Sequence, residues 1–339
     1  MPDVAAIHVA RLMLACVVFC GCASTIGCGR PGGPRRDTTS PAASAGELYL
    51  RGMSAHRSGD RDTAIRLLTE ATRRYPNLAM AHSALGDIYK QSGEYEKAST
   101  QYETLAKLDP FTADNHHRLA LSYHFLAKLK EAAAAYLRAI RLNPSDWKSS
   151  MNVGLVYMAL GEHNFAVEYC QRAVNLEPNA AVAHANLGVA LDASGNRREA
   201  EKSYRRSLEL DPKQSAPAVN LAKNLTEQKR PAEAGEVLGK LVSSSPTPAN
   251  RRRYGDALAA AGRDADAARQ YRQALAAEPQ SYAVMNSLAN LLINQYRKGL
   301  MLDDRKRDEA LGLWRQSLAV NPEQPNVQAQ LKTWQDRRG

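Results

Sequence analysis

Prolines recur in this chain with a fixed beat. Pro76, Pro110, Pro144, Pro178, Pro212 and Pro246 are each 34 residues apart, and Pro279 and Pro322 continue the series at gaps of 33 and 43. Proline makes up about 5% of an average protein, so five successive hits at one spacing arise by chance on the order of once in a million. A period of this size means that one supersecondary unit is copied along the chain. Each copy must bury its apolar face against its neighbours rather than in one central core.

Other positions keep the same period. An alanine stands twelve residues before each of the eight prolines: Ala64, Ala98, Ala132, Ala166, Ala200, Ala234, Ala267 and Ala310. An earlier position is always small: Gly52, Gly86, Ala120, Gly154, Gly188, Ala222, Gly255 and Ala289. Three residues further on stand Tyr89, Tyr123 and Tyr157, then Leu191, Leu225, Leu258 and Leu292. Eight residues before the proline comes a large side chain in most copies, as at Tyr102, Tyr136, Tyr204, Tyr271 and Trp314. Small residues let two helices approach closely, and the large ones fill the space between copies. Proline lacks an N–H and disfavours helix at the residue before it, so it closes the second helix. Turn signals such as Gln91-Ser92-Gly93-Glu94 and Ala193-Ser194-Gly195-Asn196 lie between the small residue and the alanine. The spacing predicts an all-α chain of helix–turn–helix units, with helices of about 12 residues.

This pattern resembles the tetratricopeptide repeat family, whose period is 34 residues. The resemblance runs from residue 45 to about 323. It implies a right-handed solenoid of about eight units: 45–78, 79–112, 113–146, 147–180, 181–214, 215–247, 248–281 and 282–324. In the first unit Arg51 replaces the family's leucine, which suits a polar capping repeat. Residues 325–339 are expected to form a C-terminal capping helix, because Val327, Leu331 and Trp334 share one helical face. The gap of 43 places nine extra residues within Ile293–Glu309 of the last unit. That stretch holds Arg297, Lys298, Arg305, Lys306 and Arg307, which suits either a helix extension with a solvated loop or a contact for an anionic partner.

The amino terminus has a different character. Leu12 to Ile26 is an apolar run of 15 residues, short for a membrane span of about 20 but suited to an export signal. Small residues before Cys28 resemble a bacterial lipoprotein signal, with Cys22 as the second candidate for acylation. The usual leucine three residues before Cys28 is absent. A plain secretory signal and an uncleaved anchor are the alternatives. Residues 1–28 are thus read as the signal and 29–44, rich in Gly, Pro and Arg, as a flexible tether. The expected location is a bacterial cell envelope, with the body facing the periplasm or exterior, or secreted there. Four of the five cysteines lie in the first 28 residues, and only Cys170 lies in the body. An internal disulfide framework in the body is therefore excluded, and Cys170 reads as a buried core thiol.

In such a solenoid the first helix of each unit lines the concave surface. The sixth position of successive units carries Leu50, Ala84, Arg118, Asn152, Asn186, Asn220, Arg253 and Ser287. Three consecutive asparagines form a ladder. An asparagine side chain offers both a donor and an acceptor, enough to satisfy one peptide unit of an extended segment. Some tetratricopeptide proteins hold peptides this way, and asparagine is also ordinary at this position, so both readings stand. Arg118 and Arg253, with Arg252, are candidates to hold carboxylates at the ends of such a segment. The Lys/Asn/Asn/Lys/Arg clamp of chaperone-binding members is incomplete here. His82, His116 and His184 recur at the fourth position and read as packing residues. They are spaced too widely for one metal.

The sequence contains no phosphate loop, no His-Glu-x-x-His, no Gly-x-Ser-x-Gly and no Cys-x-x-Cys-His. Repeats, tether and signal take up its whole length, so no catalytic role, cofactor, metal or small-molecule substrate is expected. The net charge of +10 admits acidic partners and a basic nucleic-acid binder. The export signal and the 34-residue register argue against the latter. The expectation is a membrane-tethered scaffold for proteins or peptides, or a non-catalytic delivery or assembly subunit of an envelope enzyme complex.

Overall fold

The computed structural model describes residues 41–335. The apolar amino-terminal run, Cys22, Cys28 and the tether up to residue 40 lie outside the described residues, as do the last four residues of the chain. The described part is α-helical throughout, with no strand. The first four units are α1 (Pro41–Arg57) with α2 (Arg61–Arg74), α3 (Ala79–Gln91) with α4 (Tyr95–Leu108), α5 (Ala113–Phe125) with α6 (Leu129–Leu142), and α7 (Trp147–Ala159) with α8 (His163–Leu176). The next three are α9 (Ala181–Ala193) with α10 (Arg197–Leu210), α11 (Ser215–Glu227) with α12 (Pro231–Ser244), and α13 (Pro248–Ala260) with α14 (Asp264–Ala277). The eighth pairs α15 (Tyr282–Lys298) with α16 (Asp304–Val320), and α17 (Pro325–Gln335) closes the stack.

Each helix packs on the next in sequence. The first helices of successive units also touch one another, as α1 does α3, α7 does α9 and α11 does α13. They therefore line the inner, more closely spaced side of a solenoid. All eight alanines of the second helices are 0% exposed. Each is enclosed where the second helix meets its neighbours. The same turn recurs between the two helices of seven units. Its central residue is left-handed at Gly59, Gly93, Gly161, Gly195 and Gly262, and also at Ala127 (φ 55°) and Lys229 (φ 63°). Glycine takes this conformation without steric cost, whereas alanine and lysine do not.

The eighth unit is the irregular one. Its nine extra residues are spread over three places: α15 is four residues longer than α3, α16 three longer than α4, and the linker two longer. The added helical length is covered by α17, whose Val327 and Trp334 are buried against this unit. Trp334 meets Tyr296 edge to face at 6.0 Å.

Candidate functional site

The concave groove is assembled from one recurrent crossing. In three units glycine faces tyrosine. A methyl group at Gly86, Gly188 or Gly255 would lie 2.5 Å from Cε1 of Tyr102, Tyr204 or Tyr271. With each ring laid across its glycine, the hydroxyl reaches a carboxylate on the same first helix. Tyr102 donates to Asp87 at 2.8 Å, Tyr204 to Asp192 at 3.0 Å and Tyr271 to Asp256 at 2.7 Å. Burial and the neighbouring carboxylate both push these phenols far above their ordinary pKa, so they remain donors. These carboxylates do not follow from the repeat period. Asp87 and Asp256 are ninth in their units, Asp192 twelfth.

Arg118 does not stand free in the groove. Its Nη1 donates to Asp87 at 2.7 Å and to Ser83 at 3.1 Å, and its Nε to Asp114 at 2.6 Å. Burial opposes the guanidinium charge, but the two carboxylates outweigh it and raise its pKa. Arg252 pairs with Asp256 at 3.1 Å, one turn along the same helix. Arg253 donates to Asn250 at 3.2 Å and lines a cleft between α11 and α13, with Lys223, Glu227 and Asp256.

The asparagines divide. Asn220 lines a cleft between α9 and α11 whose other walls are Val189, Asp192, Tyr204, Lys223, Asn224 and Glu227. Asn186 occupies the same position in α9. Both are half-buried, and neither side chain has a hydrogen-bond partner among the described residues. Asn152 is also half-buried, but it bears on the hydroxyl of Tyr136 in the preceding unit. That hydroxyl is buried and makes no well-formed hydrogen bond. Asp192 lies at the foot of the Asn220 cleft. Burial raises its pKa, against the lowering effect of hydrogen bonds from Asn224 at 2.5 Å and Tyr204.

Three histidines read as packing residues have a more definite task. His82, His116 and His184 each place Nε2 within 2.9–3.0 Å of the carbonyl oxygen of the proline six residues earlier, Pro76, Pro110 and Pro178. They satisfy a linker carbonyl that the helix break leaves open. The fixed six-residue offset from the proline was a usable signal in the sequence. His117 is different: it contacts Ser149 at 2.7 Å and meets the Tyr136 ring edge-on, and burial lowers its pKa. Cys170 is buried opposite Gly154, and burial pushes its thiol up to about 12. Among the described residues no group of His, Cys, Asp and Glu converges as a metal site, and no helix is long and apolar enough to cross a membrane.

Family models agree with this architecture. Models described as tetratricopeptide repeat match residues 48–78, 113–146, 148–213 and 185–247, and one described as TPR repeat matches 86–126. Together they span more than half of the chain. The chain belongs to the tetratricopeptide repeat family. It is 28% identical over 83 residues to Superkiller complex protein 3 of Mus musculus, a match that spans 24% of this chain but only 5% of that protein. Among solved structures, it is similar to the C-terminal part of a TPR repeat-containing protein from Cytophaga hutchinsonii. The TM-score is 0.60 at 18% identity, over 71% of this chain and 96% of the other. A tetratricopeptide repeat protein from Parabacteroides merdae matches with a TM-score of 0.55 at 18% identity, over 74% and 99% of the two chains. Tetratricopeptide repeats form a non-catalytic scaffold for protein–protein interaction, and this solenoid is one.

Proposed function

We propose that this scaffold holds an extended peptide segment along the middle of its groove, from α7 to α11, and that its amino terminus tethers it to a membrane of the cell envelope. One observation carries the first part. Asn186 and Asn220 keep both donor and acceptor unspent on adjacent first helices, whereas the charged groups on either side are largely paired within the chain. An extended peptide presents one N–H and one C=O per residue, which is what an asparagine side chain complements. Arg118 then acts as a wall fixed by Asp87 and Asp114, and Arg253 is the more open cation. The apolar run Leu12–Ile26 ahead of Cys28 supports the tether.

The test of the groove is titration of a segment selected from a random peptide library against the folded protein. Replacing Asn186 and Asn220 together by alanine should weaken binding by about 0.5–1.5 kcal/mol per lost hydrogen bond, with helicity and melting little changed. Asn152→Ala should contribute less. Unchanged affinity in the double variant would remove the ladder from the site. For the tether, cells fed an alkyne fatty acid should label the wild type but not Cys28→Ser. Label that persists in Cys28→Ser and is lost in Cys22→Ser would move the modified site, and label lost in neither would end the lipoprotein reading.

A further inference from the structure

The linker of the eighth unit stands apart from the other seven. Leu300, Met301 and Leu302 are consecutive and 79%, 53% and 83% exposed. No other linker between paired helices carries more than one apolar residue larger than alanine. Leu300 and Met301 both take the left-handed conformation, with φ of 57° and 60°. The segment is nevertheless closed on itself. The N–H groups of Leu300, Met301 and Leu302 donate to the carbonyls of Arg297, Tyr296 and Gly299. Its base is anchored, because Tyr296 is buried with Arg307 over its ring and Trp334 at its edge.

The charges around this tip are unevenly committed. Every nearby carboxylate has a basic partner: Asp303 with Lys306, Asp304 and Asp308 with Arg307, Asp264 with Lys298, and Glu309 with Arg272. Arg297 and Arg305 are exposed on the two flanks, and neither has a partner among the described residues. The tip is thus an exposed run of three apolar side chains whose own backbone donors are satisfied, with an uncommitted cation a few residues to either side, of which Arg297 also lines a cleft with Asp264 and Lys298.

From this geometry we infer that Leu300-Met301-Leu302 is a membrane-contact element. It dips into the interfacial region of a bilayer while Arg297 and Arg305 meet anionic headgroups. A bilayer demands no complementary shape from an exposed segment, but it does penalise unsatisfied backbone donors, and here they are satisfied. Apolar burial and attraction to anionic lipid add together in such contacts. The inference does not need the amino-terminal tether, since the contact lies at the opposite end of the solenoid.

The experiment places a fluorescent reporter at the tip of the full chain. Leu302→Trp is mixed with phosphatidylcholine vesicles, or with vesicles of phosphatidylcholine and phosphatidylglycerol, each with and without bromine on the acyl chains. The signal is read as the difference from the wild type, which carries Trp147, Trp314 and Trp334. The expected result is a blue-shifted emission from the introduced indole, quenched by the brominated lipid and stronger with phosphatidylglycerol. Adding Leu300→Asp should lower the vesicle partition coefficient read from this signal by about tenfold or more, the loss of roughly one buried leucine. Replacing Arg297 and Arg305 by glutamine should abolish the preference for phosphatidylglycerol. A chain that binds vesicles through its amino terminus alone would leave the reporter unquenched and overturn the inference. So would a blue shift that appears without vesicles and rises with protein concentration, which would assign the tip to a second copy. Met301→Trp repeats the measurement should Leu302→Trp fail to fold by circular dichroism.

Discussion

The third and fifth units use the same tyrosine position and end differently. In the fifth, Gly188 lets the Tyr204 ring lie flat across α9, and the hydroxyl finds Asp192. In the third, Ala120 occupies the place of the glycine. Tyr136 is as buried as Tyr204, but its hydroxyl has no carboxylate and no well-formed hydrogen bond, and it bears on Asn152 of the next unit. Two differences separate the units: the methyl of Ala120, and Leu121 and His124 at the ninth and twelfth positions, where other units carry Asp87, Asp256 or Asp192. Together they set what a buried hydroxyl finds, and so which groove groups are spent inside the protein.

The largest expected effect is to give the fifth unit the methyl of the third. Gly188→Ala puts a methyl 2.5 Å from a ring that is 1% exposed and pinned by Asp192. It should cost about 1–3 kcal/mol in denaturant unfolding, at the upper end because the ring has nowhere to swing. A cost under about 0.5 kcal/mol would mean that the ring yields freely and that the contrast lies elsewhere. Removing the hydroxyls sharpens the same point. Tyr204→Phe gives up a hydrogen bond to a charged group and should cost about 1.5 kcal/mol. Tyr136→Phe discards a buried hydroxyl without a well-formed partner and should be neutral or stabilising. Equal costs for the two would break the comparison.

A smaller effect is expected in the turn of the third unit. Ala127 holds φ at 55° where five other units have glycine. Ala127→Gly should gain about 0.5 kcal/mol, as relief of left-handed strain outweighs the added freedom of the unfolded chain. Gly195→Ala, at the matching turn of the fifth unit, should lose a similar amount. The smallest effect concerns acid. Asp192 has its pKa raised by burial, so the folded state favours its protonated form. Its charge costs stability above the folded pKa, and the cost fades as pH falls through that value towards the unfolded one, near 3.8. Asp192→Asn should therefore be more stable than the wild type at pH 7, with a gap that narrows towards pH 4. A gap that widens on acidification would show that the hydrogen bonds, not burial, govern this carboxylate.

Much of the fold could be read in advance because its determinants repeat. The prolines mark where second helices stop, and the eight alanines are fully buried where those helices pack. The three histidines look like packing residues from composition alone, yet each sits six residues after a proline whose carbonyl it bonds. The groove was harder. Arg118 looked like a free cation for a ligand, but it is held by Asp87, 31 residues away. No spacing rule joins two such positions until the first helices are stacked side by side. The three asparagines were equivalent in the sequence, and the structure separates them by what stands beside each.

The sequence alone determined the period, the number of paired helices and the residues at their crossings. These are local matters of helix breaking and side-chain volume, enforced at every copy. Only the tertiary structure decided which groove groups are already satisfied. It also decided how the nine extra residues of the last unit divide between longer helices and an apolar tip. Both depend on the neighbour a residue meets across the stack. That neighbour is set by the direction of a ring or the covering of α17, which no single repeat encodes.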